Sequence, residues 1–291
     1  MKDIVIFGNS YQGAYAAELR DFFMHLLSQS ELRVSFDSIY RDYLAGIIPG
    51  VLDNARTVSG FDFSADLALS IGGDGTFLHT ANRIGDKQIP IMGLNSGHLG
   101  YLSAAPMADI DTTIRHIETG NYVVEPRSML AAECAGRHIQ ARPFALNEAA
   151  ILRQDTGSMI AVDTFVDGMP LAKYLGDGLI ISTPTGSTAY NMSAGGPIIA
   201  PTAANWVITP IAPHSLNMRP LVVNDNAVIE LIPRSRSNTF TLSLDGNARA
   251  LPVGSRLILR KAPFVTNVVR LPHHTFSETL RSKLLWGVSS L

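Results

Sequence analysis

Cysteine is almost absent: Cys134 is the only one in 291 residues. That excludes an internal disulfide framework and any cysteine-based metal cluster. Charge is sparse and balanced, with 23 basic against 25 acidic side chains and a formal net charge of −2. No basic field is available to gather nucleic acid or an anionic membrane in bulk. Long apolar runs are missing too, and none approaches the ~20 residues that a bilayer-spanning helix needs. The opening MKDIVIFGNSYQG turns polar after four apolar residues, too early for a signal-peptide core, and reads as a first strand. These absences point to a cytoplasmic protein with neither nucleic acid nor membrane as partner. The apolar content of 46% is enough for about two cored domains.

Strand-like and helix-like segments alternate over the first third. KDIVIFG ends in Gly8, and the next stretch carries Tyr15, Leu19, Phe22, Phe23, Leu26 and Leu27 at helical spacing, with Ser10 available as N-cap. LRVSFD and ADLALSIGG read as strands, TFLHTANRIG as a short helix and IPIMGLN as a further strand. MADIDTTIRHIETG is a helix with Ile110, Ile114 and Ile117 on one face and Gly120 as its stop. Such alternation implies a Rossmann-like α/β domain with a parallel sheet. From about residue 121 short strand-like runs dominate, punctuated by VDGM, GDG, VNDNA, LDGNA and LPVGS, the texture of an all-β domain. The tail PHHTFSETLRSKLLWG is helical again, starting at Thr275 or Ser277, and has its natural partners in the first domain. The expected division is 1–122 with 272–291, and 123–271.

Three segments carry chemistry. In SIGGDGTFLHT a strand runs through Gly72, Gly73, Asp74 and Gly75 into a helix, which brings backbone N–H groups to the carboxyl end of a parallel sheet, where phosphates bind. The segment lacks the lysine of a Walker loop, and Leu78 stands where a dinucleotide fingerprint needs glycine. Its plainest reading makes Asp74 the N-cap of a helix starting at Thr76. In FALNEAAIL, Asn147 and Glu148 interrupt apolar strands. They are either a turn or a fork in which a carboxylate accepts from vicinal hydroxyls while an amide reads a base. In GDGLIISTPTGSTAYNMSAGGPIIAP an apolar strand empties into a loop dense in hydroxyls and small side chains. Flexible linkers do not begin and end in apolar strands. His79, His98, His214, His273 and His274 lack metal-site spacing, apart from the adjacent pair.

GGDGT, LNE and DGLIISTPTGSTAYNMSAGGPI, in this order, closely resemble the ATP-NAD kinases of bacterial type. GLNSGHLGYL, PHSLNMRPLV and LDGN extend the resemblance over the whole chain. It implies phosphorylation of the 2′-hydroxyl of the adenosine ribose of NAD by ATP with a divalent cation, magnesium being the usual one. It also implies an α/β domain, a β domain, a final helix returning to the first, and a homodimer or homotetramer.

Carried over by motif, Asp74 matches the catalytic aspartate, and Gly72, Gly73 and Gly75 the phosphate loop. The dinucleotide contacts match His79, Asn147, Glu148, Asp177, Thr188, Ala189, Tyr190, Asn191, Ser193, Ala212 and Asn247. Leu175 departs from the family, where several relatives carry a basic residue, and Asn247 stands where glutamine is usual. The resemblance gives the acid among the glycines a purpose. Glycine amides hold phosphate, and Asp74 takes the proton of an attacking alcohol. GGDGT is shared with lipid and sphingoid kinases, against which the hydroxyl-rich loop argues. A non-catalytic NAD(P)-binding sensor would have no use for Asp74.

Overall fold

The computed structural model describes residues 1–95, 100–106, 110–155, 157–272 and 275–286; His98, His273 and His274 lie outside them. The chain divides into two units, Met1–Pro126 with Thr266–Leu291, and Arg127–Val265. Among the described residues no helix is long and apolar enough to cross a membrane.

The first unit holds β1 (Lys2–Gly8), β2 (Leu32–Asp37), β3 (Arg56–Val58), β4 (Leu67–Ile71), β5 (Ile91–Asn95) and β6 (Ser103–Pro106). Its helices are α1 (Ala16–Ser28), α2 (Ser38–Ile47), α3 (Asp74–Ile84) and α4 (Ile110–Thr119). The strands run parallel in the order β3-β2-β1-β4-β5, with β6 beside β5. Every residue of β4 and β5 is buried, which is why both read as mostly apolar runs, with Ser70 and Asn95 as their polar members. Leu19, Phe22, Phe23 and Leu26 of α1 pack with Ile4, Ile6, Phe36 and Leu69, whereas Leu27 is exposed.

The expected cap at Ser10 is not used. One 3₁₀ turn, Gly13–Tyr15, precedes α1, whose N-cap is Tyr15. Gln12, buried, fixes the entry instead: its Nε2 donates to the Ile71 carbonyl, and its backbone N–H to the Tyr43 hydroxyl. The α2 and β3 elements were not anticipated. Asp37 caps α2 by accepting from the Tyr40 N–H and pairs with Arg83 at 2.9 Å.

The second unit contains β7 (Val123–Cys134), β8 (Phe144–Ala145), β9 (Glu148–Arg153), β10 (Ile160–Val166), β11 (Met169–Gly176), β12 (Gly178–Ser182), β13 (Asn205–Ile211) and β14 (Leu221–Asn224). It continues with β15 (Ile229–Arg234), β16 (Thr239–Leu244), β17 (Asn247–Pro252) and β18 (Leu257–Arg270). One antiparallel sheet has the order β14-β13-β12-β9-β16-β17. A second antiparallel set runs β11-β10-β15-β18. Ile151, Leu179, Trp206 and Phe240 of the former pack with Val162, Leu231 and Leu259 of the latter. The pairs Asp167-Gly168 and Asp245-Gly246 take positive φ in two-residue hairpin loops, as their sequence signals. The unit is not wholly β: a 3₁₀ turn, Thr185–Thr188, and one short helix, α5 (Tyr190–Ser193), follow β12.

The end of β18 returns to the first unit, where Val268 pairs with Ile91. There α6 (Phe276–Leu284) begins at a full capping box between Thr275 and Glu278.

The Asp37–Arg83 pair is largely removed from water, with side chains 7% and 12% exposed. Deleting one partner strands the other's charge, a loss of about 3–5 kcal/mol. Arg83→Met, which strands the Asp37 charge, is expected to destabilise by that amount in urea unfolding, and Asp37→Ala by somewhat more, because the α2 cap is lost as well. Equal small losses would mean the pair is open to solvent.

Candidate active site

In the first unit the chain builds β2 and β3 on one side of β1, then β4 and β5 on the other. Ligands of open parallel sheets bind at such a reversal, outside the carboxyl ends of the strands. The ends concerned are Gly8 and Ile71, which are paired in register. Beyond them lies a cavity of about 460 Å³ lined by Gly8, Asn9, Tyr11, Gly73, Gly75, Thr76 and His79. Asn9 Nδ2 donates to Thr76 Oγ1 at 2.7 Å, fixing the loop after β1 against α3. Tyr11 is left 91% exposed.

Asp74 is not the N-cap. Gly73 occupies that position and Asp74 is the first helical residue. The N–H groups of Asp74 and Gly75 have no place in the helix ladder and remain available to an anion, whereas that of Thr76 bonds the Gly73 carbonyl. The Asp74 carboxylate is gripped from outside the helix. Oδ2 accepts the Tyr101 N–H at 3.0 Å and Oδ1 the Leu102 N–H at 3.1 Å. This close approach requires glycine at 100, where a Cβ would fall 2.0 Å from Asp74 Oδ1. Arg270 donates to the Tyr101 carbonyl and pairs with Glu125. Burial holds its guanidinium below the usual range, against the opposing pull of Glu125 and Asp74.

In the second unit Asn147 and Glu148 stand at the start of β9, both buried. Asp245, from the β16–β17 hairpin, accepts three successive N–H groups: Leu146 at 2.6 Å, Asn147 at 2.8 Å and Glu148 at 3.1 Å. Glu148 receives the Tyr190 backbone N–H, yet its Oε2 is buried with no partner. Burial first, and the Asp245 charge second, raise the Glu148 carboxyl to about 8. Asp245 is pushed up to about 6 by burial, against its backbone hydrogen bonds.

The hydroxyl-rich loop spends several of its hydroxyls on holding itself in place. Thr183 Oγ1 donates to the Leu146 carbonyl and accepts the Gly186 N–H. Ser187 exchanges two bonds with Ile199, and Thr185 accepts from Arg127. Asn191 is fully buried, bonded to Ser187 O, Pro197 O and Thr209 Oγ1, so its side chain shapes the loop. Tyr190, 40% exposed, and Ser193 remain open, and Thr188 and Ala189 are half-buried.

Of the residues singled out in the sequence, Gly72, Gly73, Asp74, Gly75 and His79 gather on one turn and the helix after it. Asn147, Glu148 and 188–193 gather on another loop cluster. Asp177 is held by Arg153 at 3.0 and 3.2 Å, and its N–H donates to Ile211 beside Ala212. Ala212 has φ +41. Asn247 opens β17 next to Asp245. Asn9, Gln12, Arg270 and Asp245 went unmarked in the sequence. The Asp-Gly hairpin signal concealed the last of them.

A switch-point cavity beside a Gly-Gly-Asp-Gly turn, and a β unit presenting a held Asn-Glu pair, define a two-unit nucleotide phosphotransferase. The chain belongs to the ATP-NAD kinase family: residues 22–122 match the ATP-NAD kinase N-terminal domain and 146–271 the ATP-NAD kinase C-terminal domain. It is 42% identical to an NAD kinase of Bacteroides fragilis over 98% of each chain. With an NAD kinase of Porphyromonas gingivalis it shares 42% over 99% of each. Its fold is that of yeast NADH kinase complexed with NADH, at a TM-score of 0.86 and 24% identity over 99% of this chain and 89% of that one. It is also that of an NAD kinase from Archaeoglobus fulgidus in complex with ATP, at 0.71 and 24% over 98% and 99%.

Two outcomes follow from this geometry. Gly100→Ala pushes a methyl group into Asp74 and is expected to lower turnover about 10²-fold, the usual cost of a ~1 Å misplacement. Turnover near wild type would show that the 100–102 segment does not set Asp74. The second concerns pH. Glu148 is raised from 4.5 to about 8, so between those values the native state binds more protons than the unfolded chain. Its contribution to stability is full below the lower value and is lost as pH rises through the upper one. Asp245, raised from 3.8 to about 6, adds to the decline over its own range. The ligand-free protein is expected to lose thermal stability across this window, and Glu148→Gln to flatten the loss. An unchanged slope would assign the decline to other groups.

Proposed function

We propose that the chain transfers the γ-phosphoryl group of ATP to the 2′-hydroxyl of the adenosine ribose of NAD, yielding NADP and ADP. The observation that carries this reading is Asp74, a carboxylate fixed by two backbone N–H groups beside the glycine turn at the switch point. Phosphoryl transfer asks for in-line positioning, charge stabilisation and a base for the incoming alcohol. The first amides of α3, with Gly73 and Gly75, meet the phosphate oxygens. Asp74 accepts the 2′-hydroxyl proton as the oxygen bonds to phosphorus and the bond to the β-phosphate breaks. Each Asp74 oxygen already holds one N–H, which fixes orientation and leaves a lone pair on each for that proton.

Glu148 and Asn147 take the adenosine side. The unpartnered Glu148 Oε2 is the acceptor that vicinal ribose hydroxyls require, and the Asn147 amide offers both donor and acceptor to the base. Tyr190 lays an exposed ring against the ligand. Thr188, Ala189, Ser193, Asp177, Ala212, Asn247 and His79 complete the contacts, with Asn191 acting through the loop it holds.

A divalent cation, magnesium by chemistry, fits the donor set as a phosphate-borne ion. Among the described residues no three His, Cys, Asp or Glu side chains gather to cage one. Magnesium commonly uses one or two carboxylates plus substrate phosphates. Asp74 is the carboxylate placed to touch it, and when bound it would neutralise the phosphate charge. Assembly as a homodimer or homotetramer has support in the edge strand β14, whose Leu221 and Val222 are exposed.

The test is NADP formation from NAD, ATP and magnesium by purified protein, against a heat-killed control. Asp74→Asn keeps the helix start but cannot take a proton, and its amide nitrogen faces the Tyr101 or Leu102 N–H, so turnover is expected to fall by at least about 10²-fold. NAD binding by calorimetry is expected to stay within a few-fold. Turnover within a few-fold of wild type would reject Asp74 as the base. Loss of turnover together with NAD binding would make it a ligand or metal anchor.

A further inference from the structure

Asp245 is a half-buried acid, its carboxyl group turned inward, that the reaction does not use. It lies in the two-residue loop between β16 and β17, where Asp245 has φ +49 and Gly246 φ +82. A two-residue Asp-Gly loop needs nothing more from its aspartate than the turn. Here the side chain reaches back across β9 and takes the N–H groups of Leu146, Asn147 and Glu148 together, while its own N–H donates to the Glu148 carbonyl. Three consecutive donors converging on one carboxylate form an anion nest closed by the protein's own acid. The carbonyls of the same segment are held from the other side, Leu146 O by Thr183 Oγ1 and Asn147 O by the Thr183 N–H. Gly186 comes so near that a Cβ there would lie 2.1 Å from Asn147 O.

This arrangement costs stability where an amide or hydroxyl would not, because it buries a second carboxylate beside Glu148. Charged groups of like sign are tolerated in such proximity chiefly where a site needs them. The elements around Glu148 supply few counterweights: β12 brings Ser182 opposite it, the start of α5 brings the Tyr190 N–H, and the hairpin brings the Asp245 charge.

We propose that Asp245 is the positioning residue of the dinucleotide site: its grip on the 146–148 backbone aims Asn147 and Glu148. This rests on the NAD kinase reading above. Asp245 touches no substrate; it acts through the two residues that do.

The experiment compares wild type, Asp245→Asn and Asp245→Glu in steady-state NADP formation as a function of pH, with circular dichroism confirming the fold. In wild type the KM for NAD should fall as pH rises through about 8, where Glu148 ionises. Asp245→Asn turns an N–H donor against the nest and removes the charge. Its KM for NAD is expected to rise about tenfold, with kcat and the KM for ATP within about threefold, and its pH midpoint to move lower. Asp245→Glu keeps the charge but displaces the grip, so KM should rise with the midpoint unmoved. If Asp245→Asn does not fold, the Asp245→Glu result decides by itself. A wild-type KM for NAD in a folded variant overturns the proposal. So does a proportional loss of kcat and of both KM values with no change in pH profile, the mark of a merely structural turn. Absence of NADP formation by wild type would instead sink the reading on which the proposal rests.

Discussion

Backbone N–H groups that neither helix nor strand can satisfy set the positions of everything chemical in this protein. Loop donors withdrawn from water must find an acceptor or cost about 1–3 kcal/mol each. In both units the acceptor is an aspartate from a distant part of the chain. Asp74 takes the donors of Tyr101 and Leu102, and Asp245 those of Leu146, Asn147 and Glu148. Hydrogen bonds to an ionised group are about twice as strong as neutral ones. A site held this way has main-chain precision: the carboxylate and the loop define each other. It also demands glycine wherever a side chain would come between them, as at Gly100 against Asp74 and Gly186 against Asn147.

The same economy governs the loop after β12. Its composition invites the idea that each hydroxyl meets a ligand, yet Thr183, Thr185 and Ser187 are consumed in cross-linking the loop to its surroundings. Small hydroxyl residues serve there because they bond locally to the backbone, which is also why they favour turns over helices. What the loop then presents includes the half-buried Thr188 and Ala189, the exposed Tyr190 ring and the exposed Ser193. Rigidity is produced by the buried members and contact chemistry by the exposed ones.

Much of this was legible in the sequence, and the omissions have physical causes. The α/β alternation, the change to short strands near residue 121 and the returning helix follow from periodicity and turn residues, which are local properties. The Thr275–Glu278 capping box is readable for the same reason. The α2 helix escaped notice because its first residue, Ser38, directly follows β2, with no glycine or proline to mark the change. Ser10 failed as a cap because Gln12, through Ile71 and Tyr43, decides where α1 begins. Those partners are more than 30 residues away, and no local pattern announces them. Asp245 stayed hidden behind a stronger signal, since Asp-Gly between strands is fully accounted for by the hairpin. The grip of its carboxylate on Leu146, nearly a hundred residues distant in sequence, exists only in the fold.

The two units differ in the sign of what they offer a ligand. The first presents main-chain donors, the free amides at the start of α3, and its one acid in that turn is already oriented by two N–H groups. Donors are what phosphate oxygens require. The second presents acceptors: a carboxylate with an unpartnered oxygen, kept in a carboxylate-rich, water-poor setting by a second acid. Acceptors are what hydroxyl groups require. On the proposed reading, a substrate pair made of a polyphosphate and an alcohol-bearing nucleotide would be sorted by this polarity. The orphaned Glu148 oxygen is the clearest expression of it. A stability-optimised protein would have given that atom a partner; on the proposed reading a ribose hydroxyl supplies it.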